Sequence, residues 1–306
     1  MERASNPMTT ATTQNRTERP KRARVWPAAD GKLLGGSLLI AVLAAGVYFR
    51  VLAKLVFDWW QIPDFSHGFL VPPFAAYVLW KKRDRLASTR MAPSWSGVVV
   101  VLAGLVLLLL GVYGAELFLS RVSLIVVLAG LALGFGGSKL LAEMRFALLV
   151  LLLAIPIPAI VYTQITFPLQ ILASRLASAM LPLFGVPVLR DGNIIRLPAM
   201  SLEVAEACSG IRSLMSLLTL AIFYGDFLDR SRWRRTTLAL ASAPIAIAAN
   251  AVRIVGTGLA VQYWDPDQAM GFFHEFSGWV IFLVSLACLM AFDRALGWCA
   301  GEGRAA

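Results

Sequence analysis

Three residues of this sequence have types and neighbours that combine into chemistry. Cys208 lies in Glu206-Ala207-Cys208-Ser209-Gly210-Ile211-Arg212-Ser213, Arg253 in Asn250-Ala251-Val252-Arg253-Ile254, and His274 in His274-Glu275-Phe276-Ser277-Gly278. A thiol is a nucleophile as its thiolate, and a helix N-terminus or a nearby cation lowers its pKa. A histidine bonded to it takes that proton and returns it to a leaving amine. An arginine does not act as a base, so its part is to stabilise an oxyanion or orient a carbonyl. Arg212, four residues after Cys208 and on the same helix face, is a reserve candidate for that part. Glu206, Ser209 and Asn250 are the supporting polar neighbours. Each residue alone has a plainer explanation: a small buried cysteine, a snorkelling arginine, a helix-capping histidine. Their coincidence at one depth of the chain's fold argues for catalysis.

That common depth follows from the elements around them. The 306 residues are 58% hydrophobic and 15% charged, with a formal charge of +10. So little charge does not cover a soluble surface, and runs such as Val98 to Leu110 fit about 20 helical residues crossing roughly 30 Å of hydrocarbon. The expected fold is an all-α polytopic membrane protein of about eight transmembrane helices. They fall at Leu33–Val51, His67–Trp80, Ser96–Leu117, Val122–Phe135, Phe146–Gln164, Ile211–Leu228, Thr236–Tyr263 and His274–Phe292. Phe167–Phe184, interrupted by Pro168, Arg175 and Pro182, is expected to lie in the interface or re-enter rather than span. Pro72-Pro73 predicts a kinked or tucked second helix.

Most of the 28 Lys and Arg fall in alternate loops, as in Lys81-Lys82-Arg83 and Arg230 to Arg235. The positive-inside rule then places both termini in the cytoplasm and Cys208, Arg253 and His274 near the extracytoplasmic face. The basic runs sit between apolar segments, which argues against nucleic acid as a partner. Residues 1–30 read as a disordered basic cytoplasmic tail, 31–293 as the membrane domain and 294–306 as a short cytoplasmic tail. Asp191-Gly192 between apolar flanks predicts a small extracytoplasmic β-hairpin before Cys208, with positive φ at both turn positions. The three cysteines are not paired or spaced for metal, and the two histidines lie far apart, so no metal or other cofactor is expected. Cys288 reads as packing and Cys299 as incidental.

At these positions the sequence resembles the exosortases, bacterial relatives of the archaeosortases. The segments around Cys208, Arg253 and His274 are similar to that family's cysteine, arginine and histidine motifs. Asp64-Phe65-Ser66-His67-Gly68-Phe69-Leu70-Val71-Pro72 resembles a further signature. The similarity runs from about Trp59 to Phe292. It implies a transpeptidase-like cysteine enzyme of the bacterial inner membrane, acting on exported proteins with a C-terminal sorting tail. That tail would carry a Pro-Glu-Pro-like motif, a transmembrane helix and a basic end. By this analogy Cys208 attacks the scissile carbonyl, His274 is the acid/base and Arg253 stabilises the intermediate. An unidentified acceptor nucleophile resolves the thioester, in the setting of exopolysaccharide and biofilm envelopes and membrane lipid.

His67 is open to two roles, substrate binding or a hydrogen bond within the bundle. The competing class is a transporter or exporter subunit for a polysaccharide or lipid-linked precursor. That class predicts polar residues spread through the bilayer depth; here they gather near one face.

Overall fold

The computed structural model describes residues 31–204, 210–264 and 272–299. The expected tail at 1–30 lies outside the described residues, as do residues 300–306 of the tail expected at 294–306; residues 294–299 continue the last helix. By internal contacts the chain divides into Met1–Gly46 and Val47–Ala306, and the packing described below belongs to the second unit. Among the described residues the helices are α1 (Gly31–Gln61), α2 (Val71–Lys81), α3 (Arg83–Ser88), α4 (Trp95–Tyr113), α5 (Leu117–Leu151), α6 (Ala159–Met180), α7 (Ile211–Phe227), α8 (Arg232–Tyr263) and α9 (Phe272–Cys299). Among the described residues five stretches are long and apolar enough to cross a membrane: Trp95–Tyr113, Leu117–Ala154, Ala159–Phe184, Arg232–Tyr263 and Phe276–Cys299.

The α4–α5 pair shows how an apolar sequence fixes a helix–helix contact without charges. Gly97, Gly104 and Gly111 recur every seventh residue on α4 and meet α5 at Gly130/Gly134, Ser123/Val127 and Ser120. A Cβ at Gly97 would lie 2.2 Å from the Gly134 nitrogen, so the backbones touch where a side chain would stand. In lipid, where burial of apolar surface does not drive association, such close approach is a main source of helix pairing. Gly137 (φ 76, ψ −174) kinks α5. The carbonyls of Gly134 and Gly136, next to the kink, accept from the Ser94 and Ala92 N–H groups, so these groups stay satisfied.

Two of the expected spans are corrected. Phe146–Gln164 is not one helix: the helical run that follows the Gly137 break ends at Leu151, and the chain breaks before Ala159, across Pro156 and Pro158. Both prolines remove backbone donors within three residues, which a helix does not absorb. Phe167–Phe184 forms the rest of α6 and the 3-10 turn after it, with Pro168 accommodated inside the helix. The expected second span is a 3-10 segment, Pro63–Leu70, followed by the 11-residue α2. At 1.5 Å per residue α2 extends only about 16 Å, too short to span. Of the two expectations for Pro72-Pro73, the helix is tucked rather than kinked: Pro72 lies in its first turn, which needs no donor there, and Val71, Phe74, Ala75 and Val78 are buried.

Between α6 and α7 lies a three-stranded antiparallel sheet of β1 (Leu189–Asp191), β2 (Ile194–Arg196) and β3 (Ser201–Glu203), in the order β1-β2-β3. Asp191 pairs with Ile194, so the turn is Gly192-Asn193, one residue later than expected. Of these two, only Gly192 has positive φ. Ile195 and Leu202 from the sheet and Val204 just after it pack with Ala173, Ala177 and Leu181 and with Ile254 and Val255 of α8. This apolar cluster seats the sheet against α6 and α8 just before the chain reaches residue 205. A second cluster joins Trp59, Phe65, Val71 and Phe74 to Ala147, Val150 and Phe223, with Phe74 and Phe223 stacked at 3.7 Å.

Candidate functional site

The segment carrying the cysteine enters α7 through Gly210, whose φ of 79° is left-handed and suits glycine. Its carbonyl accepts the first helical bond, from Leu214 N–H at 2.8 Å. A Cβ on Gly210 would stand 3.0 Å from Cβ and Cγ of Asn250, so the cysteine motif lies directly on the arginine motif of α8. Asn250 is buried, and Arg253, three residues further along the same helix, is partly buried. The Arg253 guanidinium lies against Gly278 of α9, where a Cβ would be 3.5 Å from Nη2. The arginine motif therefore contacts the cysteine motif on one side and the histidine motif on the other.

Asp64 closes the arrangement from the fourth segment. Its Oδ1 accepts from Arg212 Nε at 2.8 Å, and its Oδ2 accepts from the Tyr162 hydroxyl at 2.5 Å. One carboxylate thus links the Pro63–Leu70 turn, the first turn of α7 and the start of α6. Glu206, Cys208 and Ser209 lie outside the described residues, as does the side chain of His274; the His274 backbone stands in the first turn of α9.

His67 is buried, and its Nε2 is 3.1 Å from the Leu153 carbonyl, to which it donates. Trp59 Nε1 donates to the adjacent Ala154 carbonyl at 2.7 Å. Together they satisfy carbonyls left open where α5 stops before its two prolines. Burial pushes the His67 imidazole below its ordinary pKa, against the opposing pull of the Leu153 and Asp64 carbonyls and the Asp64 carboxylate. Of the two roles open to His67, the internal hydrogen bond is the one its surroundings describe.

Sequence reading missed Tyr162 and did not single out Asp64 within its motif. It also missed two buried ion-pair groups. Arg121 pairs with Asp58, which Lys54 also contacts at 2.8 Å. Asp293, fully buried, accepts from Arg230 at 2.7 Å, Arg234 at 2.6 Å and Tyr224 at 3.1 Å. The Asp293 group joins the far ends of α7, α8 and α9, roughly 25 Å of helix from Gly210. The signal in the sequence was a lone acid within an apolar run, which needs a partner whatever its function. Among the described residues no group of three His, Cys, Asp or Glu side chains is placed to hold a metal ion. Cys288, expected as packing, is exposed on α9.

A bundle of long apolar helices, with four polar segments linked in series by these contacts, defines an integral membrane protein. The family model for transmembrane exosortases matches residues 59–291, and the chain belongs to that family. No curated protein matches the chain, and no solved structure does either.

Proposed function

We propose that the protein is a cysteine transpeptidase or peptidase that removes the C-terminal sorting tail of exported proteins at the outer face of the bacterial inner membrane. The observation that carries this reading is membership of the exosortase family over a span that contains all four motifs. The contacts Asp64–Arg212, Gly210–Asn250 and Arg253–Gly278 support it, because they join those motifs into one layer. The charge distribution supports the sidedness, with the basic loops and both termini in the cytoplasm.

In this mechanism the Cys208 thiolate attacks the scissile carbonyl and Arg253 stabilises the resulting oxyanion. The C–N bond then breaks, and the imidazolium of His274 gives its proton to the leaving amine of the tail. The acyl group stays on Cys208 as a thioester. An acceptor nucleophile loses its proton to His274, attacks the thioester and releases the thiolate. Sorting tails of the Pro-Glu-Pro type followed by a transmembrane helix and a basic end are the proposed substrates, in an exopolysaccharide-producing envelope. The test is the fate of such a substrate in cells carrying Cys208→Ala. The tail is expected to remain attached; normal tail removal in that strain would eliminate the reading.

A further inference from the structure

We propose that Asp64 is a positioning residue of this site, holding the Arg212 guanidinium by one edge so that its terminal nitrogens take an oxygen of the substrate. The proposal rests on the peptidase reading above. Asp64 uses both carboxylate oxygens on donors from different elements, Oδ1 on Arg212 Nε and Oδ2 on the Tyr162 hydroxyl. Tyr162 therefore fixes the plane of the carboxylate, and the carboxylate fixes the guanidinium. The anchor is mostly buried while the arm it holds is open, at 15% and 49% side-chain exposure.

A guanidinium has five N–H donors, and Asp64 engages the one on Nε. Among the described residues the four donors on Nη1 and Nη2 have no partner. A two-point tether between α7 and the Pro63–Leu70 turn would put both Asp64 oxygens on Arg212; here Oδ2 goes to Tyr162 instead. Pairing through Nε alone keeps the terminal fork available, and a planar fork matches the oxygens of a carboxylate or a carbonyl. Its place in the chain suits this use. Arg212 stands two residues beyond Gly210, which lies on Asn250, in the layer that contains Arg253. The ligand is an oxygen acceptor of the substrate near its cleavage point, either a side-chain carboxylate or a main-chain carbonyl.

The test uses the full-length protein in lipid vesicles with a tailed substrate, reading KM and kcat separately, and substrate affinity in a Cys208→Ala background. Asp64→Asn and Arg212→Ala are each expected to raise KM and weaken affinity about tenfold, the scale of one charge-assisted hydrogen bond. Their kcat should change far less. Asp64→Glu should recover most of the loss, Arg212→Lys little, and the double variant should be no worse than Arg212→Ala, because the pair acts as one unit. Substrates with acidic residues changed to amides separate the two acceptors: a carboxylate ligand makes Arg212→Ala silent on the amide substrate, and a carbonyl ligand leaves its effect intact. An unchanged KM and affinity in Asp64→Asn, or independent multiplying effects of the two changes, overturns the proposal. If Asp64→Asn does not fold, Tyr162→Phe frees one carboxylate oxygen and must give the same KM-weighted loss. Tail removal by Cys208→Ala would defeat the peptidase reading itself; an inactive Cys208→Ala protein whose affinity ignores Asp64→Asn defeats only this proposal.

Discussion

Gly210→Ala tests how tightly the cysteine motif is seated on α8. At φ 79° an alanine pays about 1–2 kcal/mol for the left-handed conformation. Its Cβ would also lie 3.0 Å from two carbons of Asn250, inside ordinary contact distance. Overpacking of this kind costs about 1–3 kcal/mol unless the neighbours move apart. The combined strain, roughly 2–5 kcal/mol, is relieved most easily if residues preceding α7 shift away from Asn250 by several tenths of an ångström. A displacement of about 1 Å at reacting atoms costs on the order of 100-fold in rate. In vesicles with a tailed substrate, kcat is therefore expected to fall between about tenfold and 100-fold, and detergent thermal stability should drop. Gly256→Ala is the matched control on α8, since a Cβ there meets nothing within 4 Å. It should leave activity unchanged and stability equal or higher by about 0.5–1 kcal/mol. Wild-type rate and stability in Gly210→Ala would refute the reasoning about this contact.

Gly97→Ala puts a Cβ 2.2 Å from the Gly134 backbone, so thermal unfolding should show a loss of about 1–3 kcal/mol or more, with Gly256→Ala again silent. Asp293→Asn removes the charge that neutralises Arg230 and Arg234 in a buried group. The expected loss is about 3–5 kcal/mol by chemical denaturation, and activity per folded molecule should be retained because the group lies at the other end of the helices. For His67 the folded state favours the neutral imidazole, so unfolded chains take up the proton first as pH falls. The stability it contributes is present above its ordinary value of 6.5 and is lost below it, toward the depressed folded pKa. Thermal stability should therefore decline from pH 7.5 to 5.5, and His67→Gln should flatten that slope.

How far the sequence specified this molecule differs by level. The apolar runs of α4, α8 and α9 carry their own membrane signal, because length and hydropathy are local properties. The division between α5 and α6 was misread because three prolines in one apolar stretch look alike in sequence. Pro156 and Pro158 break the chain together, whereas Pro168 alone is absorbed within α6. The break at Gly137 was legible, since the expected fourth span ends at Phe135, but its packing against Ala92 was not, because Ala92 lies on another segment. At the site, residue types and motifs were readable, including Arg212 and Asn250. The pairing of Asp64 with Arg212 was not, because 148 residues separate them and no local pattern links a carboxylate to a guanidinium across that distance. The turn at Gly192-Asn193 fell one residue from its expected place because strand register, set by Asp191 opposite Ile194, outranked the Asp-Gly preference.

The central claim is that Cys208 bonds covalently to substrate. The most direct measurement is mass spectrometry of the protein quenched in acid during turnover of a tailed substrate. A thioester on the peptide containing Cys208, removed by hydroxylamine and absent in Cys208→Ala, is the predicted result. Tail cleavage proceeding at full rate with no acyl group ever detectable on that peptide, and undiminished in Cys208→Ala, would contradict it.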